Sequence, residues 1–169
     1  MNTVISFLKQ TDIFDGFSSN QLELVANICE QKSYELGEKI LDEGESSKEL
    51  YIIIRGEVNI AVNPAIVGGP DSPPHGGEYI IATLRPGQSF GEVALVDEGL
   101  RSATARASQP VTILLVLPRE KLIRLCDQNL PLGYRLMYNL AADLAMKIRS
   151  TDMRIRGQLL YGGKNPTLE

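Results

Sequence analysis

Histidine is nearly absent from this 169-residue chain, which has one, His75. A catalytic metal centre draws on clusters of His, Cys and carboxylates, and a Ser-His-Asp or Cys-His relay needs a histidine beside its nucleophile. His75 sits in a Pro/Gly-rich stretch, where a solvated loop residue is the simpler reading. Catalysis is therefore not expected. Cysteine is scarce too. Cys29 and Cys126 each fall in an apolar-periodic, helix-like segment, which favours buried free thiols of a reducing compartment. With a single His, they offer poor axial ligands for a haem or redox sensor. Long apolar runs are missing as well: none approaches the roughly 18 residues a membrane helix needs. The opening MNTVISFLKQ lacks the basic start and apolar core of a secretion signal. A cytoplasmic chain, not attached to a membrane, is the expectation.

A concentrated basic face is also lacking. The formal net charge is −4 and the pI near 5.1, and the charge is unevenly spread. Residues 1–118 hold 8 basic and 16 acidic side chains, whereas residues 119–156 hold 8 basic and 4 acidic. The acidic front argues against a dedicated nucleic-acid binder. The basic end could dock an acidic partner or balance its own front half.

What is present reads as one domain with helices at both ends. Ser18-Ser19-Asn20-Gln21 has the form of a helix cap, and Leu22, Val25, Ala26 and Cys29 follow at helical spacing. After about residue 32, glycines punctuate short strand-like segments: EKILDEG, ELYIIIRG, EVNIAV, EYIIATL, SATARA and VTILLVL. Runs this short predict a small antiparallel β-barrel or jelly roll over about 32–117. Residues 63–78, with four Pro and four Gly, read as a loosened hairpin loop between two strands. PREKLIRLCDQN then forms a short helix with Pro at its start. Pro131 opens a longer one reaching about Arg156, where Leu132, Leu136, Leu140, Leu144 and Ile148 make an apolar stripe. That stripe must bury against the barrel or a second copy of itself. Residues 157–169 read as a flexible tail.

The stretch SFGEVALVDEGLRSATARA, residues 89–107, raises the functional question. Gly91 lets backbone approach a ligand closely, and Glu92-Val93-Ala94-Leu95 can form a helical turn whose first N–H groups favour an anion. Arg101 offers a planar fork suited to phosphate. Ser102 and Thr104 add hydroxyls, and Glu92 is a good acceptor for a ribose hydroxyl. Together they suggest a compact phosphate-plus-ribose ligand. The residues alone leave a second reading open, in which Glu92 and Arg101 simply pair across a turn, although desolvation makes a buried pair a weak source of stability.

Phe90-Gly91-Glu92-Val93-Ala94-Leu95, five further residues, then Arg101-Ser102-Ala103-Thr104 resembles the phosphate-binding cassette of the cyclic nucleotide-binding domain. That family takes in the regulatory subunits of cAMP-dependent kinase, cyclic-nucleotide-gated channels and bacterial catabolite-activator regulators. GEKILDEGE, LYIIIRGEVNI and LRPGQSFGE stand where the family has their counterparts, so the likeness covers about residues 12–155. It implies an α+β fold, a jelly roll flanked by N-terminal helices and two C-terminal helices. It implies a site in which Glu92 accepts from the ribose 2′-hydroxyl and Arg101 pairs with the cyclic phosphate. The N–H groups of Ala94 and Ala103 would cradle that phosphate, with Val93 beside them and Gly91 clearing the ribose. Ser102 would donate to the phosphate or to a guanine amino group. Leu100 departs from the proline many kinase-type members carry, without loss of a ligating group.

Ser102 places cAMP ahead of cGMP only modestly. By resemblance, the base cap comes from the last helix, where Met146, Lys147 and Arg149 are candidates, against plainer readings as core (Met146) or solvated surface (Lys147, Arg149). Tyr134 and Tyr138 read as core or interface. Too few residues follow Arg156 for the DNA-reading domain of the gene regulators, so no DNA partner is expected. What remains is a sensor switched by its ligand, whose 131–156 helix forms a homodimer or meets an unidentified protein. The alternative is a scaffold that retains the fold without nucleotide, which an intact Glu92 and Arg101 speak against. An enzyme of the cupin type would need the histidines that this chain lacks.

Overall fold

The computed structural model describes residues 2–63 and 78–161. Helix α1 (Asn2–Leu8) and a 3₁₀ turn (Asp12–Phe14) lead into α2 (Ser19–Ala26). The cap predicted at Ser18 is a full capping box. The Gln21 N–H donates to the Ser18 hydroxyl, and the Ser18 N–H donates to the Gln21 side chain. Eight strands follow among the described residues: β1 (Glu30–Tyr34), β2 (Lys39–Leu41), β3 (Leu50–Arg55), β4 (Val58–Val62), β5 (Tyr79–Leu84), β6 (Ser89–Phe90), β7 (Thr104–Ala107) and β8 (Thr112–Leu117). Helix α3 (Glu92–Asp97) interrupts them, and α4 (Arg119–Gln128) and α5 (Leu130–Tyr161) close the described chain.

The strands make two antiparallel four-stranded sheets, ordered β1-β8-β3-β6 and β2-β7-β4-β5. This is the expected jelly roll. Two strands outside the predicted set complete it. β1 is Glu-Gln-Lys-Ser-Tyr, almost wholly exposed, and pairs with β8 from Glu30↔Val116 to Tyr34↔Thr112. A polar edge strand has no apolar alternation to betray it. β6 has two residues, fewer than any periodicity can mark. Val62 pairs with Tyr79, so β4 and β5 form a hairpin. The predicted Pro/Gly loop that joins them, His75 included, lies outside the described residues beyond its two ends.

Strands β3 and β8 are continuous apolar runs because both their faces are covered. Leu50, Ile52, Leu115 and Leu117 face one core with Leu8, Phe14, Leu22, Val25, Leu122 and the first turns of α5. Tyr51, Ile53, Leu114 and Val116 face a second core between the sheets, with Val58, Leu84, Phe90 and Ala105. Alternate residues of one strand thus bind the helices to the barrel. Leaving apolar side chains on either face in water would forfeit about 1.5–3 kcal/mol each.

The stripe on α5 divides. Leu132, Leu136 and Leu140 are buried in the helix-side core, whereas Ile148 is 62% exposed. Of the two readings of Tyr134 and Tyr138, core or interface, the core reading fails: they are exposed and stack on each other, ring centroids 6.4 Å apart. Helix α5 runs to Tyr161, five residues past the predicted end, because Gly157 brings no break, and the rest of the predicted tail lies outside the described residues. Both thiols are free. Cys29 lies beyond the end of α2 rather than within a helix. Its thiol donates to the Val25 carbonyl at 3.3 Å and is pushed up to about 12 by burial. Among the described residues no helix is long and apolar enough to cross a membrane.

Candidate functional site

The local structure of residues 89–104 follows from two turns. Gly91 has φ +85°, left-handed backbone that favours glycine. A side chain there would also meet the Arg101 guanidinium and the Glu49 carbonyl, each 2.7 Å from its Cβ. Gly91 therefore makes room for Arg101 itself. At the far end of α3, Glu98 adopts φ +59° and Asp97 accepts from the Gly99 N–H at 2.8 Å. Arg119, at the start of α4, ties this turn down by donating to the Leu95 carbonyl at 3.0 Å and pairing with Glu98 at 2.5 Å. Arg101 then enters the barrel with its backbone bonded both ways to the Gly44–Glu45 turn.

Arg101 is only 3% exposed, yet its charge is thoroughly met. Its Nε donates to the Ser47 hydroxyl at 3.0 Å and one Nη to the Gly91 carbonyl at 3.0 Å. The other Nη donates to the Glu49 carbonyl at 2.9 Å and the Glu49 carboxylate at 3.3 Å. The guanidinium carbon also stands 5.7 Å from the centre of the Tyr51 ring, which stacks on Phe90. Burial first, and then the Glu49 carboxylate, push the Tyr51 phenol up, so it stays neutral beside the arginine. Four of the five donors of an arginine are thereby committed.

Glu92 is 5% exposed and is not the partner of Arg101. Its Oε1 accepts from Lys147 of α5 at 2.9 Å, while its Oε2 is buried with no hydrogen-bond partner among the described residues. Lys147 also donates to the Ser89 carbonyl at 2.9 Å and pairs with Asp143, one helical turn earlier, at 2.7 Å. Burial pulls the Lys147 ammonium down, but the Glu92 charge and the bond and charge of Asp143 together hold it above the usual lysine value. The turn-holding ion pair between the two charges of this stretch is therefore replaced by two separate networks.

Between these networks lies a cavity of about 800 Å³, within the range of small-molecule sites. Gly91, Glu92, Val93, Ala94, Arg101, Ser102 and Ala103 all line it, so these seven predicted site residues border one space. Ile60, Ile81, Ala82 and Leu84 of the second sheet give it an apolar wall, and α5 covers it from Asp143 to Arg154. Thr104 does not line it: its hydroxyl accepts from the Glu43 N–H at 3.1 Å. Of the base-cap candidates, Met146 borders the cavity and is 56% exposed, which removes the reading of it as core. Arg149 is exposed and is not among the lining residues. Lys147 is not solvated surface, since three acceptors hold it.

Ser47, Glu49, Asp143 and Arg154 were not singled out from the sequence. Arg154 borders the cavity and donates to the Ile81 carbonyl across its apolar wall. Asp143 and Lys147 were legible as an i,i+4 pair of opposite sign on a helix. Nothing local marks Ser47 and Glu49, which reach Arg101 because its backbone is bonded to the Gly44–Glu45 turn just before them. No group of His, Cys, Asp and Glu suited to a metal occurs among the described residues.

Known proteins share this arrangement of chain. Over 148 residues the sequence is 33% identical to the Cyclic AMP receptor protein of Thermus thermophilus, covering 88% of this chain and 62% of that protein. It is 29% identical over 115 residues to cGMP-dependent protein kinase 2 of Homo sapiens, covering 68% of this chain and 14% of the kinase. The chain thus spans less than two thirds of either relative. The crystal structure of a cyclic nucleotide-binding domain from Methylobacillus flagellatus superposes with a TM-score of 0.77 at 25% identity, covering 93% of this chain and 83% of that one. Residues 31–129 match the family model of the cyclic nucleotide-binding domain, and the chain belongs to that family.

Proposed function

We propose that the cavity binds a 3′,5′-cyclic nucleotide, cAMP ahead of cGMP, and that the chain is a non-enzymatic sensor switched by that ligand. The observation that carries the reading is the separation of the two buried charges. Arg101 and Glu92 border one cavity, each with its own partners, and a buried oxygen of Glu92 stands without a donor. A sugar hydroxyl would meet that oxygen. A cyclic phosphate would take the fifth donor of Arg101 and displace the Glu49 carboxylate, which at 38% side-chain exposure returns to water readily. The N–H groups of Ala94 and Ala103 would complete the phosphate cradle. Met146, with Arg154 beyond it, would cover the base. The binding unit in this reading spans residues 1–156.

For the output, the geometry favours α5. Tyr134, Tyr138, Ala141, Ala145, Ile148, Asp152, Ile155 and Leu159 alternate at spacings of four and three and are all exposed, the seam of a two-stranded coiled coil. In our reading this face pairs with a second copy, and the ligand shifts how α5 is held, which requires it to bind one α5 arrangement more tightly than the other. The test is isothermal titration of nucleotide-stripped protein with cAMP and with cGMP, repeated on Arg101→Ala. Saturable binding that weakens at least about a hundredfold in the variant is expected. Absence of heat with both ligands would favour the nucleotide-free scaffold.

A further inference from the structure

We propose that Lys147 is the positioning residue of the ribose end: it fixes Glu92 so that Oε2 faces the ligand, and makes selection for the sugar 2′-hydroxyl depend on α5 being docked. This rests on the cyclic nucleotide reading and adds to it a residue from outside the cassette. Three observations carry it. The ammonium of Lys147 donates to the Ser89 carbonyl and to Glu92 Oε1, each at 2.9 Å, and stands in an ion pair with Asp143 at 2.7 Å. These contacts hold it at the ribose end, so in this proposal Lys147 is not a cap. Its hold on Glu92 uses one carboxylate oxygen and leaves the other buried, unpartnered and on the cavity. Among the described residues, Lys147 is also the cation that pairs with Glu92.

The consequence is chemical. A carboxylate that is 5% exposed and loses its cation either turns towards water or takes up a proton. A protonated carboxyl donates as well as accepts, and favours a ligand that brings a hydroxyl over one that lacks it less strongly than a carboxylate does. Because Lys147 comes from α5 while Glu92 belongs to the barrel, undocking α5 has the same effect as removing the side chain. The sugar and the helix then report on each other: a ribose hydroxyl on Oε2 rewards the docked arrangement, and docking sharpens the choice of sugar.

The experiment is a titration of wild type, Lys147→Met and Lys147→Arg with cAMP and with 2′-deoxy-cAMP, each folded by circular dichroism. Wild type is expected to prefer cAMP by about tenfold or more, the worth of a hydrogen bond to a charged group. In Lys147→Met the ratio should fall to about threefold or less, with the loss concentrated on cAMP, and Lys147→Arg, which keeps a cation there, should recover most of it. Lys147→Gln serves if the methionine variant does not fold. A wild type that fails to bind cAMP overturns the nucleotide reading itself. A wild type that discriminates while Lys147→Met discriminates equally leaves that reading standing and overturns the role of Lys147. A uniform loss on both ligands does the same, since it would mark Lys147 as merely structural.

Discussion

The two ends of the cavity are built differently. Every partner of Arg101 belongs to the barrel and its turns: Ser47, Glu49 and the Gly91 carbonyl. Glu92 is also a barrel-side residue, but its cation is carried by α5. One end is therefore complete whether or not α5 is in place, and the other is complete only when it is. An arginine already held in place needs little rearrangement to take an anion, here the release of the Glu49 carboxylate, whereas a site completed by a separate element can report on that element. A buried arginine held by four bonds thus suits a grip, and a carboxylate shared with a helix suits a switch.

The variants that test this contrast differ in expected size. Arg101→Ala should be the most damaging, with cAMP affinity down at least about a hundredfold. Gly91→Ala should come next, because φ +85° and the approach of Arg101 and the Glu49 carbonyl to 2.7 Å leave no room for a methyl group. A loss of about 1–3 kcal/mol of stability in urea unfolding and a weakened anion end are expected. An unchanged unfolding midpoint would mean that the Gly91 turn is not tight. Glu92→Gln should cost about five- to tenfold in affinity, the difference between a hydrogen bond to a charged and to a neutral acceptor. It should leave the fold intact, because Asp143 still pairs with Lys147. If Glu92→Gln were as damaging as Arg101→Ala, the two ends would not differ in kind.

How much of this was legible in the sequence depends on the range of the interactions. The cassette was legible because its parts lie within one contiguous stretch and its turn residues impose their own geometry. The Ser18 cap and the continuous runs of β3 and β8 were legible for the same local reason. Strand β1 was not, since a polar edge strand owes its place to β8 rather than to its own pattern. The partners of Arg101 and Glu92 were beyond reach as well: Ser47 and Lys147 stand more than fifty residues away along the chain, and only the folded sheet and α5 bring them near. Tyr134 and Tyr138 could be read only as core or interface, because an apolar face on a helix looks the same whether it meets its own core or a second molecule. A 4-3 spacing is resolved from a 3.6 stripe only when the two faces are separated, and here Leu132, Leu136 and Leu140 take the core.

That exposed face gives a prediction of intermediate size. Ile148→Glu places like charges across any α5 pair, and should convert a dimer to a monomer in light scattering at micromolar concentration. Because Ile148 also borders the cavity, Ile155→Glu is the cleaner variant, and cAMP affinity in it should change by less than about threefold. A wild type that is monomeric with and without cAMP would remove the pairing of copies from the proposal.

The smallest expected effect concerns pH, and it isolates the switch end. The folded protein holds the Lys147 ammonium above its usual value, so the folded state keeps a proton that the unfolded chain releases at the ordinary lysine pKa. The stabilisation is complete below that ordinary value and is lost as pH rises through the raised one. Melting curves of wild type and Lys147→Met between pH 7 and 11 should therefore run parallel to about pH 10, then converge as wild type loses what the variant never had. The difference between the two proteins is the quantity to follow, since other lysines and tyrosines titrate equally in both. Curves that stay parallel to pH 11 would mean that the proton on Lys147 does not contribute to holding α5 against the barrel.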